Sequence, residues 1–433
     1  MTQSIWQKDM HMPEFDQLHT DRKTNILIIG GGICGILCAY FLQQAGVDYI
    51  LLEGGRAAEG ITKNTTAKIT VQHGAIYSKL IRTFGEENAG RYLAANSAAL
   101  AEYAQLCKNI DCDFVRLPAY TYSLDDRKKI EDEVSAANRL GVRAEFCEHA
   151  SLPFDIAGAV RFADQAQFNP LKFLAAIAKD LNIYENTFVR EIKDNTAFIE
   201  NARITADKII VATHFPFINK YGAYFLKLYQ HRSYVMALKN CPDVQGMYVD
   251  EAEKGMSFRN YNGRLFIGGG GHRTGKQGGG WHELHNFAKK YYPEGEVEEY
   301  WATQDCMSLD SIPYIGCYSR RTPDLLVATG FNKWGMTSAM AAARIVTDMA
   351  MGKENEYAEV FSPQRSILKP QLLMNGFEAA ANLLTPTPKR CPHLGCALKW
   401  NKAEHTWDCP CHGSRFQSDG TLIDNPATGD ANI

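Results

Sequence analysis

The chain has 433 residues, of which 45% are hydrophobic and 22% are charged, and its formal net charge is −3. This length suggests two or three domains, and the near-neutral balance gives no reason to expect a nucleic acid or another polyanion as a partner. No run of about 18 uncharged apolar residues occurs, so we expect no membrane span.

The N-terminal extension, residues 1–23, is polar and carries acidic side chains. A secretory signal would need a basic start followed by an apolar stretch. We therefore expect a cytoplasmic protein whose 12 cysteines are mostly thiols or metal ligands. Four of these cysteines are clustered between Cys391 and Cys411, which is the strongest anomaly in the composition.

The hydrophobic pattern predicts the following elements in chain order. Residues 24–53 form a strand, a glycine-rich turn, a helix and a second strand, and residues 79–109 are helical. Short strands and a polar helix follow in 113–165, a helix opens at Pro170, and a buried strand spans 204–213. Residues 229–300 are β-rich, residues 324–352 form a strand, a glycine loop and a helix, and residues 371–384 are helical. The Pro-rich stretch 385–390 marks a boundary.

The first turn carries a dinucleotide-binding fingerprint. Gly30, Gly32 and Gly35 form G-x-G-x-x-G between the first strand and its helix, and Glu53 ends the next strand. Glycines at these positions allow a tight turn, close approach of backbone amides to a pyrophosphate, and close packing of the helix on the strand. Glu53 would accept hydrogen bonds from a ribose. The stretch 266–281 is also glycine-rich but lacks a following strand with an acid, so we expect a flexible loop beside the active site there.

Three separated motifs resemble the FAD-dependent D-amino-acid-oxidase and glycine-oxidase-like superfamily over residues 24–350. They are the fingerprint, the segment 54–74 after the acidic residue, and the loop ATGFNKWGMTSA at 328–339. The resemblance implies FAD and an inserted β-rich substrate domain on a Rossmann-like α/β domain. The predicted flavin-contacting residues are Gly30, Gly32, Ile33, Gly35, Glu53, Arg56, Thr65, Thr66, Ala67, Val189, Gly330, Asn332, Gly335 and Met336.

The C-terminal cluster pairs Cys391 with His393 and Cys409 with His412. Two cysteines and two histidines suit zinc or a Rieske [2Fe–2S] cluster. Zinc fingers group cysteine with cysteine, whereas each short loop here offers one residue of each kind. The surrounding residues, CPHLGC and CPCHGS, resemble Rieske proteins, and this resemblance favours the iron–sulfur cluster over zinc. It also implies a loop-bridging disulfide between Cys396 and Cys411.

The predicted domain organisation follows from these segments. An oxidoreductase unit spans 24–365, with its FAD domain in 24–110, 155–215 and 305–352 and its substrate domain in 111–154 and 216–304. A linker helix covers 366–385. The remaining residues, 386–433, form a short all-β Rieske-like module that lacks the strands expected before its first loop. Such a module needs support from the flavin domain or from a second subunit.

One charged residue gives an indication of the substrate class. In glycine-oxidase-like enzymes an arginine precedes a P-x-x-G strand and binds the substrate carboxylate, and the corresponding position here is Asp305. An acid there would repel a carboxylate and attract an ammonium group, unless it pairs with Arg273 or another cation. Tyr234 and Arg259 are further candidates in the β-rich segment. No catalytic dyad is evident.

These patterns predict an FAD-dependent enzyme that oxidises a small amine and passes electrons through the flavin and the cluster to an external acceptor. Two alternatives remain open. One is an amine oxidase that uses O₂ and keeps the cluster as a structural element. The other is a non-enzymatic redox or electron-transfer subunit. An oligomer is possible.

Overall fold

The computed structural model describes residues 3–8, 10 and 12–433. The rest of the N-terminal extension, residues 1, 2, 9 and 11, lies outside the described residues. In the described part of the chain, no helix combines the length and the hydropathy that crossing a bilayer requires.

Helices occupy these positions in chain order: α1 (Ile33–Gln44), α2 (Tyr77–Leu106), α3 (Arg127–Arg139), α4 (Pro170–Ala178), α5 (Tyr224–Lys227), α6 (Gly280–Tyr291), α7 (Gly335–Ala350), α8 (Ala358–Phe361) and α9 (Pro370–Leu384). Strands occupy the following: β1 (Arg22–Ile29), β2 (Tyr49–Leu52), β3 (Lys68–Ile69), β4 (Val115–Ser123), β5 (Ala144–Cys147), β6 (Gly158–Gln167), β7 (Ile183–Tyr184), β8 (Glu191–Lys193), β9 (Thr196–Phe198), β10 (Arg203–Val211), β11 (Leu228–Lys239), β12 (Met247–Asp250), β13 (Ser257–Tyr261), β14 (Arg264–Arg273), β15 (Glu296–Ser308), β16 (Tyr314–Ser319), β17 (Thr322–Thr329), β18 (Lys399–Asn401), β19 (Thr406–Asp408), β20 (Arg415–Phe416) and β21 (Leu422–Asp424).

The first sheet has the strand order β16-β17-β10-β1-β2-β7. Strands β17, β10, β1, β2 and β7 run parallel, and their near-continuous apolar sequences are typical of strands covered on both faces. Helices α1 and α7 pack together on this sheet. The parallel arrangement places the carboxyl ends of the central strands at one edge, where open α/β sheets bind their ligands.

The second sheet has the order β15-β11-β14-β13-β12-β4-β6-β3 and is mainly antiparallel. It confirms the predicted β-rich second domain on the Rossmann-like α/β domain. Two predictions about its parts were wrong. Residues 158–167 were assigned to the FAD domain, but β6 pairs along its length with β4. Residues 266–281 were expected to form a flexible loop, but residues 266–273 belong to β14, which pairs with both β11 and β13, and α6 begins at Gly280. Neighbouring side chains occupy the space that the glycines of β14 leave open.

The C-terminal module is a small all-β sheet with the order β18-β19-β20-β21. Its core consists of Cys391, Cys396, Cys409, Cys411 and a few apolar residues that include Leu398 and Phe416. Helix α9 precedes it, as the periodicity of 371–384 predicts. A core this small supplies little burial energy, so the contacts of the module with the rest of the chain matter for its position.

Candidate functional site

One large cavity, of about 1130 Å³, lies at the carboxyl ends of the parallel strands. Its wall includes Gly30 after β1, Glu53 after β2, Ala212 after β10 and Gly330 after β17. Ordinary small-ligand pockets measure about 300–1,000 Å³. The cavity therefore has room for a dinucleotide together with a small substrate.

The fingerprint turn has the geometry that its glycines predict. Gly30 adopts φ +108°, and a Cβ on it would lie 2.7 Å from the carbonyl oxygen of Ala212. A Cβ on Gly35 would lie 1.9 Å from the carbonyl oxygen of Gly30, so only glycine permits this approach of helix α1 to the turn. The N-terminus of α1 then faces the cavity. The amide of Ile33 donates to Thr62 Oγ1 at 3.0 Å, and the positive end of the helix dipole favours a phosphate group at this end.

Glu53 lies at the end of β2 on the cavity wall. Its carboxylate accepts hydrogen bonds from the backbone amides of Gly31, at 2.6 Å, and Gly55, at 2.8 Å. Burial raises the pKa of Glu53, and the amides partly offset that effect. These contacts fix the carboxylate at the edge of the fingerprint turn. There it could accept a hydrogen bond from a ribose hydroxyl group of a bound dinucleotide.

Most of the predicted flavin-contacting residues are brought together on this wall. Those lining the cavity are Gly30, Gly32, Ile33, Glu53, Arg56, Thr65, Thr66, Val189, Gly330, Asn332, Gly335 and Met336. Two predicted residues do not line it. Gly35 acts within the packing of α1, and Ala67 is fully buried, with its carbonyl oxygen accepting a hydrogen bond from Arg259. Two glycine turns at separated places on one wall suit an extended dinucleotide, so the residues present fit FAD.

Asp305 lies in the same cavity, together with Ser233, Lys333 and His214. Ser233 Oγ donates a hydrogen bond to Asp305 Oδ2 at 3.2 Å. Burial raises the pKa of Asp305, an effect that nearby Lys333 and His214 oppose. Arg273, the partner considered from the sequence, instead donates to Asn375 and to the carbonyl oxygen of Pro410.

Tyr234 and Arg259 occupy different environments. Tyr234 lines the cavity, and its hydroxyl donates to Glu404 Oε1 at 3.2 Å. Arg259 is fully buried and does not line the cavity. It donates to the carbonyl oxygens of Thr66 and Ala67 and lies against aromatic rings. The structure thus places the Arg259 side chain on the face of β13 that supports the segment around Thr66, away from the cavity where the sequence analysis expected it.

The two ligand loops of the C-terminal module meet as the sequence predicts. The Nδ1 atoms of His393 and His412 lie 3.2 Å apart. The pKa of Cys391 is lowered, chiefly because the Cys409 thiol donates a hydrogen bond to its sulfur. Burial lowers the pKa of His393 to about 4 and that of His412 to about 3, so both rings are neutral near neutral pH. Two sulfurs and two neutral imidazoles brought together in this way fit a Rieske cluster.

Cys396 and Cys411 form the predicted disulfide across the two loops, with their Cα atoms 6.6 Å apart. The sulfurs of Cys396, Cys409 and Cys411 lie within 4.8 Å of one another. The disulfide therefore joins the loop that carries His393 to the loop that carries His412, immediately beside the candidate ligands.

The side of the module that carries the two histidines faces residues 215–225 of the oxidoreductase unit. His393 Nε2 donates to Asn219 Oδ1 at 2.8 Å, which leaves its Nδ1 lone pair free for a metal. His412 lies near the rings of Phe215 and Phe225. The segment 212–217, which carries Phe215, also contributes residues to the cavity wall. The candidate cluster site and the cavity therefore share one stretch of chain.

A hydrogen-bonded chain joins the two sites directly. His214, in the cavity, donates from Nε2 to Gln230 Oε1 at 2.9 Å, and Gln230 Nε2 donates to the carbonyl oxygen of His412 at 3.2 Å. Asn425 Nδ2 donates to the carbonyl oxygens of Thr213 and Phe215, at 2.7 Å each.

Charged side chains complete the contact between the module and the second sheet. Arg232 and Glu404 form a nearly buried bidentate ion pair. Gln304 Nε2 also donates to the carbonyl oxygen of Gly413 at 2.9 Å. The second sheet of the oxidoreductase unit thus supplies support to the short module, whereas the sequence analysis expected this support from the flavin domain or from a second subunit.

Several residues of the site were not predicted from the sequence. Lys333 lies inside the glycine loop 328–339, so its place between Asn332 and Gly335 was an available signal. His214 follows the strand β10 at its carboxyl end, which is a general position for ligand contacts. Asn219 and Gln230 carry no local signal, because their roles depend on the placement of a module about 200 residues away in the chain.

Comparisons with known protein families agree with this geometry. A model of the "FAD dependent oxidoreductase" family, DAO, matches residues 25–349, and a model of the "Rieske [2Fe-2S] domain" matches residues 378–432. The chain is 33% identical to the "Putative Rieske 2Fe-2S iron-sulfur protein YhfW" of Bacillus subtilis, and the match covers 98% of this chain and 96% of that protein. A segment of 37 residues is 51% identical to the chloroplastic cytochrome b6-f complex iron-sulfur subunit of Arabidopsis thaliana, covering 8% of this chain and 16% of that protein.

Several solved structures share the fold of the oxidoreductase unit, which is the larger part of the chain. Glycine oxidase from Geobacillus kaustophilus matches with a TM-score of 0.68 at 19% identity, over 80% of this chain and 100% of that one. L-amino acid deaminase from Proteus vulgaris matches with a TM-score of 0.65 at 15% identity, over 82% of this chain and 100% of that one. At these identities the likeness concerns the fold.

Proposed function

The chain belongs to the FAD-dependent oxidoreductase family and ends in a Rieske [2Fe–2S] domain, and from this premise we propose that it oxidises a small amine and passes the electrons through FAD and the cluster to an external acceptor. Its cofactors are FAD and a [2Fe–2S] cluster. Bound FAD supplies a two-electron acceptor that can also release electrons singly, and the cluster supplies a one-electron carrier.

The observation that carries the proposal is the shared stretch of chain between the two sites. We propose Cys391, His393, Cys409 and His412 as the cluster ligands. His412 is then joined to the cavity through Gln230 and His214. A cluster held only for structural support would not need its histidine edge turned toward the flavin cavity. This arrangement favours electron transfer over the purely structural role.

The substrate class is proposed from the charges in the cavity. Asp305, held by Ser233, would accept a hydrogen bond from a substrate ammonium group. Asp250, Glu253 and Asp424 also line the cavity, and acids in a concave site attract cations. Arg56, Lys68 and Lys79 line the same cavity and offset part of this charge. Lys333 lies near Asp305 and would balance an acidic group on the substrate, should one be present.

The known names of structural relatives give weaker support to the same class. Solved relatives include an L-proline dehydrogenase and an iminodiacetate oxidase, at 17% and 14% identity. The names of these two proteins and of the glycine oxidase refer to compounds that carry a carbon–nitrogen bond. We propose that this chain also oxidises a C–N bond, by analogy with these proteins and because the charges of the cavity suit an amine.

The test is anaerobic mixing of the purified protein with a panel of primary amines, secondary amines and α-amino acids, while the flavin and cluster absorption bands are followed separately. We expect an amine to bleach the flavin first and the cluster afterwards. A Cys391→Ser variant should bleach only the flavin. Full-rate flavin reoxidation by O₂ in that variant would instead favour an oxidase, and no bleaching by any compound would refute an amine-oxidising enzyme.

A further inference from the structure

Helix α9, which links the oxidoreductase unit to the C-terminal module, exposes its apolar side chains to solvent. Its outward side chains are apolar: Leu373 is 78% exposed, Phe377 71% and Leu384 81%. Met374 and Leu383 are 56% and 46% exposed. An ordinary surface helix turns its apolar side toward the core and its polar side toward water. This helix does the reverse along its whole length of about 22 Å.

The buried residues of α9 are the polar Asn375 and Asn382, and Ala379 beside them packs on the core of the C-terminal module. Asn375 is buried, accepts a hydrogen bond from Arg273 at 3.0 Å and donates to the carbonyl oxygen of Leu226 at 3.2 Å. Glu378 forms an ion pair with Lys276 at 2.6 Å. These contacts fix the rotation of the helix, so its apolar residues cannot turn inward without breaking them.

The exposed apolar residues continue beyond both ends of the helix. Leu368, before it, is 83% exposed, and Leu394, between the candidate ligand His393 and Gly395, is 39% exposed. We call the set of Leu368, Leu373, Met374, Phe377, Leu383, Leu384 and Leu394 the apolar face. Contiguous apolar patches on a protein surface mark sites of contact with another protein or a membrane.

The charges around the apolar face are positive. Lys369 precedes the helix and Lys389 and Arg390 follow it. Lys369 lies over the ring of Phe84 and Lys389 over the ring of Trp407, while Arg390 donates to backbone carbonyl oxygens. Within the described residues these contacts involve no carboxylate, so the three positive charges are not neutralised by an ion pair. The single acid of the helix, Glu378, points inward to Lys276. A wide apolar arc with cations at its ends is complementary to an anionic lipid surface.

We propose that the apolar face docks on the surface of an anionic lipid membrane, with α9 lying in the plane of the interface. A second copy of the chain is a poorer occupant, because a stable dimer needs about 800 Å² and about 20–30 residues from each partner. The apolar face offers one helix side and two flanking leucines. Interfacial binding needs only a few inserted apolar side chains with nearby cations. Leu394 would place the cluster module beside the membrane.

The test uses the full-length protein with both cofactors, in sedimentation with vesicles of phosphatidylcholine alone and of phosphatidylcholine and phosphatidylglycerol in equal amounts. We expect binding to the mixed vesicles and at least tenfold weaker binding to the neutral ones. Phe377→Ser with Leu384→Ser should weaken binding to mixed vesicles at least tenfold. Leu124→Ser, at a leucine 55% exposed on another surface, is the matched control and should bind as the parent does. Flavin and cluster spectra confirm that each variant is folded.

Three outcomes would overturn the proposal. The first is the absence of vesicle binding by the parent protein. The second is binding that the double substitution leaves unchanged or that neutral vesicles match. The third, measured by analytical ultracentrifugation, is a dimer that the double substitution dissociates while no vesicles are bound, which would assign the apolar face to a second copy. None of these results depends on substrate turnover, so they leave the proposed oxidation untouched.

Discussion

Glu404 carries the charge that holds the C-terminal module on the second sheet, and Glu404→Gln tests whether that contact is energetically important. The carboxylate accepts hydrogen bonds from Arg232, from Arg415 at 2.8 Å and from the Tyr234 hydroxyl at 3.2 Å. The side chains of Arg232 and Glu404 are only 2% and 10% exposed. Glutamine keeps the shape of the side chain but leaves the guanidinium of Arg232 without its counter-charge.

The expected loss can be estimated from the burial of the pair. Removing one partner of a buried ion pair costs roughly 3–5 kcal/mol, because the other charge remains in a low-dielectric place. Arg415 keeps two other carboxylates, Asp408 at 3.2 Å and Asp424 at 3.1 Å. The uncompensated charge is therefore that of Arg232 alone, and we expect the lower end of the range, about 3 kcal/mol.

Denaturant unfolding followed at the cluster absorption and at the flavin fluorescence measures this loss. We expect the cluster signal of Glu404→Gln to disappear at lower denaturant than in the parent, ahead of the flavin signal. The control is Glu131→Gln, which breaks an exposed helix pair with Arg127 and should cost less than about 1 kcal/mol. Equal midpoints for the two variants would refute the structural importance of the contact.

The pH dependence of the same contact has a definite sign. Burial would raise the pKa of Glu404, but Arg232 and Arg415 hold it below its usual range. A carboxyl group whose folded pKa is depressed stabilises the fold above its unfolded pKa, about 4.3. That stability is lost as the pH falls through the folded value. The cluster module of the parent should therefore become less stable below about pH 4, and Glu404→Gln should lose this part of the acid sensitivity.

Three further predictions concern the cavity, the path between the sites and the module itself. Asp305→Asn should raise KM for a cationic amine at least about tenfold, since a charge-assisted hydrogen bond contributes about 1.5–3 kcal/mol; steady-state kinetics with an unchanged KM would contradict the role of Asp305. Gln230→Leu should slow cluster reduction several-fold in anaerobic stopped-flow while leaving flavin reduction unchanged, and equal cluster rates would exclude the path through Gln230. Residues 386–433 expressed alone should retain less than a tenth of the iron of the full chain, whereas full iron content would show that the module needs no support.

The sequence predicted the parts of the site whose residues are close together in the chain. The fingerprint from Gly30 to Gly35, with Glu53, needs only a strand, a turn and a helix, and these form from local patterns. The same holds for the ligand loops, because Cys391 and His393 sit two residues apart. The spacing of residues within such motifs is enough to predict their local geometry. The two cofactors could therefore be inferred from the sequence alone.

Residues whose roles depend on long-range packing were not predictable in the same way. Arg259 and its neighbour Phe258 point to opposite sides of β13, and Phe258 packs in the core of the second domain. Nothing in the local sequence says which side faces the cavity. Asn219 and Gln230 acquire their contacts only when the C-terminal module is docked. The assignment of residues 158–167 failed for a related reason, since strand pairing with β4 spans a long loop.

The shortness of the cluster module has a structural counterpart in the second sheet of the oxidoreductase unit. Side chains of the second sheet hydrogen-bond directly to the backbone of the second ligand loop: Arg273 to Pro410, Gln230 to His412 and Gln304 to Gly413. An independent domain would have to make such contacts with strands of its own. Because the contacts come from β11, β14 and β15, which also line the cavity, the same strands set the position of the cluster and the shape of the substrate site. If the chain has the proposed function, electron transfer between the two sites would require no movement of the module, and a loss of docking should separate flavin reduction from cluster reduction.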